Sequence, residues 1–145
     1  MSGRIMLKFI TDVEDPREVF DMVMAYADRT KKNTWTCLGE VLNPDRYTII
    51  IYELDNTGDY YIPMGYSNMY INDENDLFFH HGYLHHSIKE YKEVLEDMCR
   101  MVQSIYLGKL NKVIIHSEAG RLWKKYGFEI SKMEICKRDM PTCSQ

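Results

Sequence analysis

The sequence has no long apolar run and no surplus of positive charge. No segment reaches the roughly 18 consecutive apolar residues that a membrane-spanning helix needs, and the first residues, MSGRIMLKFITDVEDP, contain no apolar signal region. The 18 Lys and Arg residues are outnumbered by 22 Asp and Glu residues, and the formal net charge of -4 argues against a broad phosphate-binding surface. We therefore expect a cytoplasmic protein that binds neither membranes nor nucleic acid.

Cysteine is also scarce and shows no paired motif. The four cysteines, Cys37, Cys99, Cys136 and Cys143, contain no CxxC pair. This pattern favours free thiols in a reducing compartment, with a Cys136–Cys143 disulfide as one alternative. What the sequence does contain is ordinary for a globular protein: 145 residues, 45% of them hydrophobic and 28% charged, with no repeat or linker. Residues 1–145 are therefore predicted to form a single domain.

The amino-terminal third predicts a strand followed by one or two helices. Arg4 to Thr11 has strand character, and Asp15, Pro16 and Glu18 then provide an N-cap, a first-turn proline and a capping acid. The helix that begins there should continue to about Asp28. The segment from Thr34 to Leu42 is either a second short helix or a structured loop.

The middle of the chain predicts three antiparallel strands. Tyr47 to Leu54 (YTIIIYEL) is rich in β-branched and aromatic residues, and a turn at residues 55–58 leads into a second arm, Tyr60 to Ile71. Pro63 and Gly65 within that arm predict a bulge or an edge position. Leu77 to about His85 is predicted as the third strand.

The remaining third predicts a long helix between strands. Ser87 to Glu90 (SIKE) matches a capping box that would open a helix ending near Gly108. Its apolar face is Ile88, Tyr91, Val94, Leu95, Met98, Met101, Val102 and Ile105. A short strand, Lys112 to Ile115, a brief helix from about Glu118 to Lys125 and a final strand from Phe128 to about Lys137 follow. This order predicts an α/β fold with a mixed, mainly antiparallel central sheet and helices on both faces.

Four residues near the carboxyl end point to a known family. Within the stretch from His116 to Phe128, four residues stand at the spacing of a known family motif: Ala119, Leu122, Gly127 and Phe128. Together with the preceding KVII strand and long amphipathic helix, they resemble the GNAT superfamily of acyl-CoA N-acyltransferases. The resemblance implies acetyl-CoA as the cofactor and a primary amine as the acceptor. It also implies direct acetyl transfer within a V-shaped opening between the central strands.

The resemblance also implies where the cofactor would bind. Leu84, Ser87, Ile88 and Lys89 would line the pantetheine and phosphate path, with His116 and Trp123 beside the thioester. Three features depart from the family pattern. Residues 87–94 contain no glycine for close phosphate approach. Trp123 stands where a proton-donating Tyr is expected, and His116 stands where Asn is expected; an indole N–H is not a practical proton donor near neutral pH.

The candidate general bases and metal ligands are less defined. Glu53, Asp73, Glu74 and Asp76 are the acids near the central strands, and the sequence does not select among them. His80, His81, His85 and His86 form an HHxxxHH cluster. In a strand, His81 and His85 would lie about 13 Å apart, too far to share one zinc ion. We therefore predict no metal site and expect these histidines at exposed polar positions.

Two functional hypotheses remain open at this point. In the first, the protein acetylates a primary amine on a small molecule or a protein. In the second, the GNAT-like scaffold has lost its cofactor and binds a protein partner as an interaction or assembly subunit, as degenerate members of the family do, including some encoded by phages. The three departures from the family pattern favour the second hypothesis, and the resemblance itself favours the first.

Overall fold

The computed structural model describes residues 3–116, 124, 129–130 and 135–141 of the chain. The strands are β1 Ile5–Phe9, β2 Tyr47–Leu54, β3 Tyr61–Ile71, β4 Leu77–Leu84, β5 Lys112–His116, β6 Glu129–Ile130 and β7 Ile135–Asp139, and the α-helices are α1 Phe20–Thr30, α2 Thr34–Val41 and α3 Tyr91–Ile105. The strands form one sheet in the order β1-β2-β3-β4-β5-β7-β6. β4 and β5 are parallel, whereas β1 with β2, β5 with β7 and β6 with β7 are antiparallel. The predicted mixed, mainly antiparallel sheet is confirmed.

The chain divides into two compact units. The first contains Met1–Asn68 and His81–Tyr91, and the second contains Met69–His80 and Lys92–Gln145. β3 and β4 each contribute residues to both units. Among the described residues, no helix has the length and apolar character needed to cross a membrane.

The helices of the first unit begin where the sequence places helix signals. Asp15 accepts a hydrogen bond from the backbone N–H of Arg17 and caps a 3₁₀ turn, Pro16–Val19, which leads into α1. The segment that the sequence left ambiguous is α2, because the side chain of Asn33 accepts a hydrogen bond from the N–H of Thr36 at 3.0 Å. The first strand is shorter than predicted, since a 3₁₀ turn begins at Ile10.

The core of the first unit forms on one face of β2. Ile49 to Tyr52 are all buried, because β2 is an inner strand with side chains covered on both faces. Ile50 and Tyr52 lie on the face that α1 and α2 cover. The buried side chains of this core are Val19, Met22, Val23, Tyr26, Ala27, Cys37, Val41, Ile50, Tyr52 and Tyr66.

The predicted edge position for the arm containing Pro63 and Gly65 is wrong, because β3 lies between β2 and β4. The sheet tolerates Pro63 since the residue lies at the end of the β3–β4 pairing, next to Met64, whose carbonyl accepts from the N–H of His85. Gly65 allows close strand approach. A Cβ atom there would lie 2.6 Å from the carbonyl oxygen of Tyr83.

The second unit is built on α3 and β5. The buried residues of α3 are Val94, Leu95, Met98, Cys99 and Val102, which confirms Val94, Leu95, Met98 and Val102 of the predicted apolar face. Ile105, also predicted on that face, is 53% exposed. Asp76 accepts a hydrogen bond from the N–H of Lys112 at 3.1 Å, and Arg138 pairs with Glu96 at 3.2 Å.

The carboxyl-terminal elements differ from the prediction. The single final strand predicted from Phe128 to about Lys137 is instead two antiparallel strands, β6 and β7, with Glu129 opposite Lys137. Residues 128–137 contain no Gly, Pro, Asn or Asp that would mark the reversal between the two strands. The predicted helix at residues 118–125 lies outside the described residues except for Lys124, which is helical.

Candidate functional site at the start of helix α3

The segment between β4 and α3 is an irregular turn. The N–H of Ser87 donates to Nδ1 of His85 at 3.1 Å, and the N–H of Ile88 donates to the carbonyl of His85. α3 begins only at Tyr91. The prediction that Ser87 caps the helix is therefore wrong, because its hydroxyl and the Glu90 carboxylate are engaged by more distant residues.

Those distant residues form a charged network around Arg4. The guanidinium of Arg4 pairs with Glu53 through Nη1 and with Glu90 through Nη2. The hydroxyl of Ser87 donates to Oε1 of Glu53 at 3.2 Å. Residue 4 precedes β1, Glu53 lies on β2 and Glu90 precedes α3, so the network connects three segments of the first unit.

The Glu90 carboxylate accepts hydrogen bonds from backbone N–H groups just before α3. Its Oε2 accepts from the N–H of Lys89 at 3.2 Å. The hydrogen bond from Arg4 is the largest cause that lowers the pKa of the Glu90 carboxyl, and the N–H groups of Glu90 and Lys89 lower it further. The carboxyl group is thus held as an anion where a helix start favours negative charge.

His85, Ser87 and Glu53 do not form a nucleophilic triad. Oγ of Ser87 lies 3.0 Å from Nδ1 of His85, but the carboxylate of Glu53 contacts the hydroxyl and not the imidazole. In a Ser-His-acid triad the acid must orient the imidazole, so that the other ring nitrogen takes the proton of the hydroxyl. The contacts among His85, Ser87 and Glu53 instead hold the turn between β4 and α3 in place.

β4 lies between β3 and β5 in the sheet. The register between these parallel strands runs from Leu77 opposite Val113 to Phe79 opposite Ile115. β4 then continues five further residues, to Leu84. The later residues of β4 lie beside β3, where a Cβ atom at Gly65 would lie 2.6 Å from the carbonyl oxygen of Tyr83.

Solved structures with this architecture cover nearly the whole chain. Tetrahymena GCN5 has a TM-score of 0.63 at 9% identity and covers 94% of this chain and 96% of its own. An aminoglycoside 6'-N-acetyltransferase complexed with coenzyme A has a TM-score of 0.64 at 8% identity, with 97% and 99% covered. An acetyltransferase of the GNAT family from Staphylococcus aureus Mu50 has a TM-score of 0.60 at 11% identity, with 94% and 99% covered. The chain has the GNAT fold.

The likeness lies in structure and not in sequence. No family model matches the chain, and no curated protein matches it. The GNAT fold confirms the architecture expected from the resemblance, and residues outside the described part of the chain carry most of the motif. Ala119, Leu122, Gly127 and Phe128 all lie there.

On the GNAT fold, the predicted cofactor residues fall into different environments. Ile88 is fully buried, so the residue is not accessible to a ligand in this arrangement. Leu84 and Ser87 are half-buried, and Lys89 is exposed. His116 ends β5, opposite Ile135 in β7, and its side chain lies outside the described residues, as does all of Trp123.

The four candidate general bases differ in burial and in the residues that they contact. Asp73 and Glu74 lie in the exposed turn between β3 and β4, and Asp76 is buried and holds the N–H of Lys112. Glu53 contacts Ser87, a described residue of the predicted cofactor path. Sequence reasoning did not find Arg4, because its two partners lie 49 and 86 residues away.

The histidines do not share one environment. His81 is buried, contrary to the expectation of exposed polar positions, and its Nδ1 lies 3.0 Å from the hydroxyl of Tyr66. The rings of His85 and His86 stack with centroids 4.1 Å apart. His81 also lies near Cys37 and Glu40 of α2, with ligand atoms of the three residues within 4.8 Å of one another. Burial raises the pKa of the Cys37 thiol, and the carboxylate of Glu40 raises it further.

Proposed function

We propose that the protein binds an acyl-CoA on its GNAT fold and transfers the acyl group to a primary amine. The observation that carries this proposal is the GNAT fold, which the chain shares over nearly its whole length with the solved structures described above. The acyltransferases of the same fold support the same assignment.

The reaction requires few groups from the protein. The nitrogen of the amine attacks the thioester carbonyl, a C–N bond forms, the C–S bond breaks, and the amine proton is lost while the thiolate of CoA gains one. The ligand would lie along Leu84 and the turn at Ser87, with the exposed ammonium of Lys89 available to its phosphates. Glu53 is the acid that we assign to this site, because it contacts Ser87.

Glu90 opposes the phosphate end of this ligand. A pyrophosphate that accepts from the N–H groups at the start of α3 must displace the Glu90 carboxylate from the N–H of Lys89. It must also approach a negative charge that Arg4 holds in place. We therefore expect acyl-CoA affinity to be limited by Glu90 rather than by the helix start itself.

A second candidate function is a binding or assembly role without catalysis. The Glu90 carboxylate favours this role because it occupies the N–H of Lys89, where an external anion would bind, and residues 87–94 contain no glycine. A fully exposed Leu107 and an 81% exposed Trp35 provide apolar groups of the kind found at protein interfaces. In this role the protein has no need of acyl-CoA.

Calorimetric titration with acetyl-CoA distinguishes the two functions. Glu90→Gln removes the charge while keeping the side-chain volume, and we expect it to tighten binding about two- to fivefold, the equivalent of about 0.3–1 kcal/mol for one charge near a helix terminus. Glu14→Gln is the control, because it removes one negative charge at an exposed loop position.

Binding by the wild-type protein or by Glu90→Gln, followed by acetylation of a primary amine, supports the acyltransferase. If neither protein binds acetyl-CoA at millimolar concentration, the acyltransferase proposal is overturned and the binding role is favoured. Equal tightening by Glu90→Gln and Glu14→Gln would show that net charge, and not the position of Glu90, limits binding.

A further inference from the structure

Three different metal-ligating side chains meet between α2 and β4. Cys37 and Glu40 are three residues apart on α2, so they lie on the same face of the helix. His81 comes from β4, which places it next to that face. One ligand atom from each residue lies within 4.8 Å of the other two. All three residues belong to the first unit of the chain.

We propose that Cys37, Glu40 and His81 form a zinc-binding site. Thiolate sulfur, imidazole nitrogen and carboxylate oxygen are the three ligand types that proteins use for Zn²⁺. With metal–ligand bonds of about 2.0–2.3 Å, ligand atoms around a tetrahedral ion lie about 3.5 Å apart, so small side-chain adjustments complete the site. Three protein ligands leave the fourth position for water or another small ligand.

The surroundings of His81 fix which nitrogen faces the ion. Nδ1 is 3.0 Å from the hydroxyl of Tyr66, so Nε2 is the ligand atom. The phenol oxygen of Tyr66 can accept a hydrogen bond from Nδ1–H. A zinc-bound histidine commonly donates its other ring N–H to an oxygen in this way.

Charge balance favours a divalent cation at this place. A thiolate and a carboxylate each carry one negative charge, and together they neutralise Zn²⁺ at a site where Cys37 and His81 are buried. Oε2 of Glu40 also pairs with Arg46 at 2.9 Å. A carboxylate has about four lone-pair sites, so pairing with Arg46 is compatible with metal ligation.

The backbone around the ligands is held in place before any ion binds. Asn33 caps the helix that carries Cys37 and Glu40. The ring of Tyr26 stacks on His81, with centroids 5.1 Å apart. At Gly82, next to His81, a Cβ atom would lie 2.7 Å from the carbonyl oxygen of Tyr66, so β3 and β4 approach closely there. Such support reduces the reorganisation that binding requires.

Titration of chelator-treated protein with Zn²⁺ and with Co²⁺ tests the site. We expect one Zn²⁺ per chain and a rise in melting temperature. Co²⁺ should give a thiolate-to-metal charge-transfer band in the near ultraviolet. Absence of stoichiometric Zn²⁺ binding, or Co²⁺ binding without that band, overturns the proposal.

Four variants assign the ligands. Cys37→Ser should abolish the charge-transfer band, and Glu40→Gln, at a half-exposed position, should weaken Zn²⁺ binding. Tyr66→Phe should weaken it roughly 10–100-fold by removing the partner of Nδ1. Cys99→Ser, at the other described free and buried thiol, is the control and should bind as wild type. If Cys37→Ser does not fold, the wild-type Co²⁺ spectrum and Glu40→Gln decide. Unchanged binding by folded Cys37→Ser, or by Glu40→Gln, counts against the site.

Discussion

Arg4 is the residue on which the arrangement before α3 depends most directly, because its guanidinium pairs with both Glu53 and Glu90. We predict that Arg4→Met lowers the free energy of unfolding at pH 7 by about 1–2 kcal/mol, between the values for an exposed ion pair and a charged buried hydrogen bond. The lower part of this range reflects the exposure of Arg4, which is 40% for its side chain. Urea unfolding measures the change.

The effect of Arg4→Met should depend on pH. Arg4 lowers the pKa of the Glu90 carboxyl from its ordinary value of 4.5. The ion pair therefore stabilises the folded protein fully above pH 4.5, and this stabilisation is lost as the pH falls through the lowered pKa of Glu90 in the folded protein. The difference between variant and wild type should therefore shrink below about pH 4. Lys8→Met, which removes an exposed charge from β1, is the control. A difference that stays constant down to pH 2 would contradict this role of Glu90.

At the scale of elements, the contact between β3 and β4 depends on Gly65. A Cβ atom there would meet the carbonyl oxygen of Tyr83 at 2.6 Å and Cδ1 of Leu84 at 2.9 Å. Because a strand carbonyl cannot move without disturbing its hydrogen bonds, we predict that Gly65→Ala lowers stability by about 1–3 kcal/mol.

Gly39 in α2 provides the matched comparison for Gly65. A Cβ atom at Gly39 would meet nothing within 4 Å. Gly39→Ala should therefore raise stability by about 0.5–1 kcal/mol, as expected for alanine in an exposed helix. Chemical denaturation of both variants measures the two opposite changes. Similar losses from both substitutions would show that the strand approach at Gly65 is not specifically tight.

At the scale of the whole molecule, charge determines which partners are attracted. The chain has four more acidic than basic residues, which gives the formal net charge of -4. We predict no salt-dependent binding to mixed-sequence duplex DNA at physiological ionic strength, because such binding relies on clustered Lys and Arg that displace the cations condensed on the DNA phosphates. Fluorescence anisotropy with labelled DNA measures this. Binding that weakens steeply with added salt would contradict the prediction and point to a local basic surface.

Sequence patterns located most elements because those elements are defined locally. The hairpin of β2 and β3, the strand β4 and the apolar face of α3 follow from hydrophobic periodicity and turn residues. Helix α2 stayed ambiguous, although Asn33 is a good N-cap, because eight residues give little periodicity. The start of α3 was placed too early for a different reason: Ser87 and Glu90 match a local capping pattern but bond to Glu53 and Arg4 instead.

The sequence by itself determined the α/β class, the order of most strands and helices and the resemblance to GNAT proteins, since these depend on residue spacing within short segments. Only the tertiary structure decided that Arg4 holds Glu53 and Glu90, that His81 is buried, and that Cys37 and Glu40 lie beside it. These contacts join residues far apart in the chain. Their formation depends on strand register and helix packing, which no local pattern specifies.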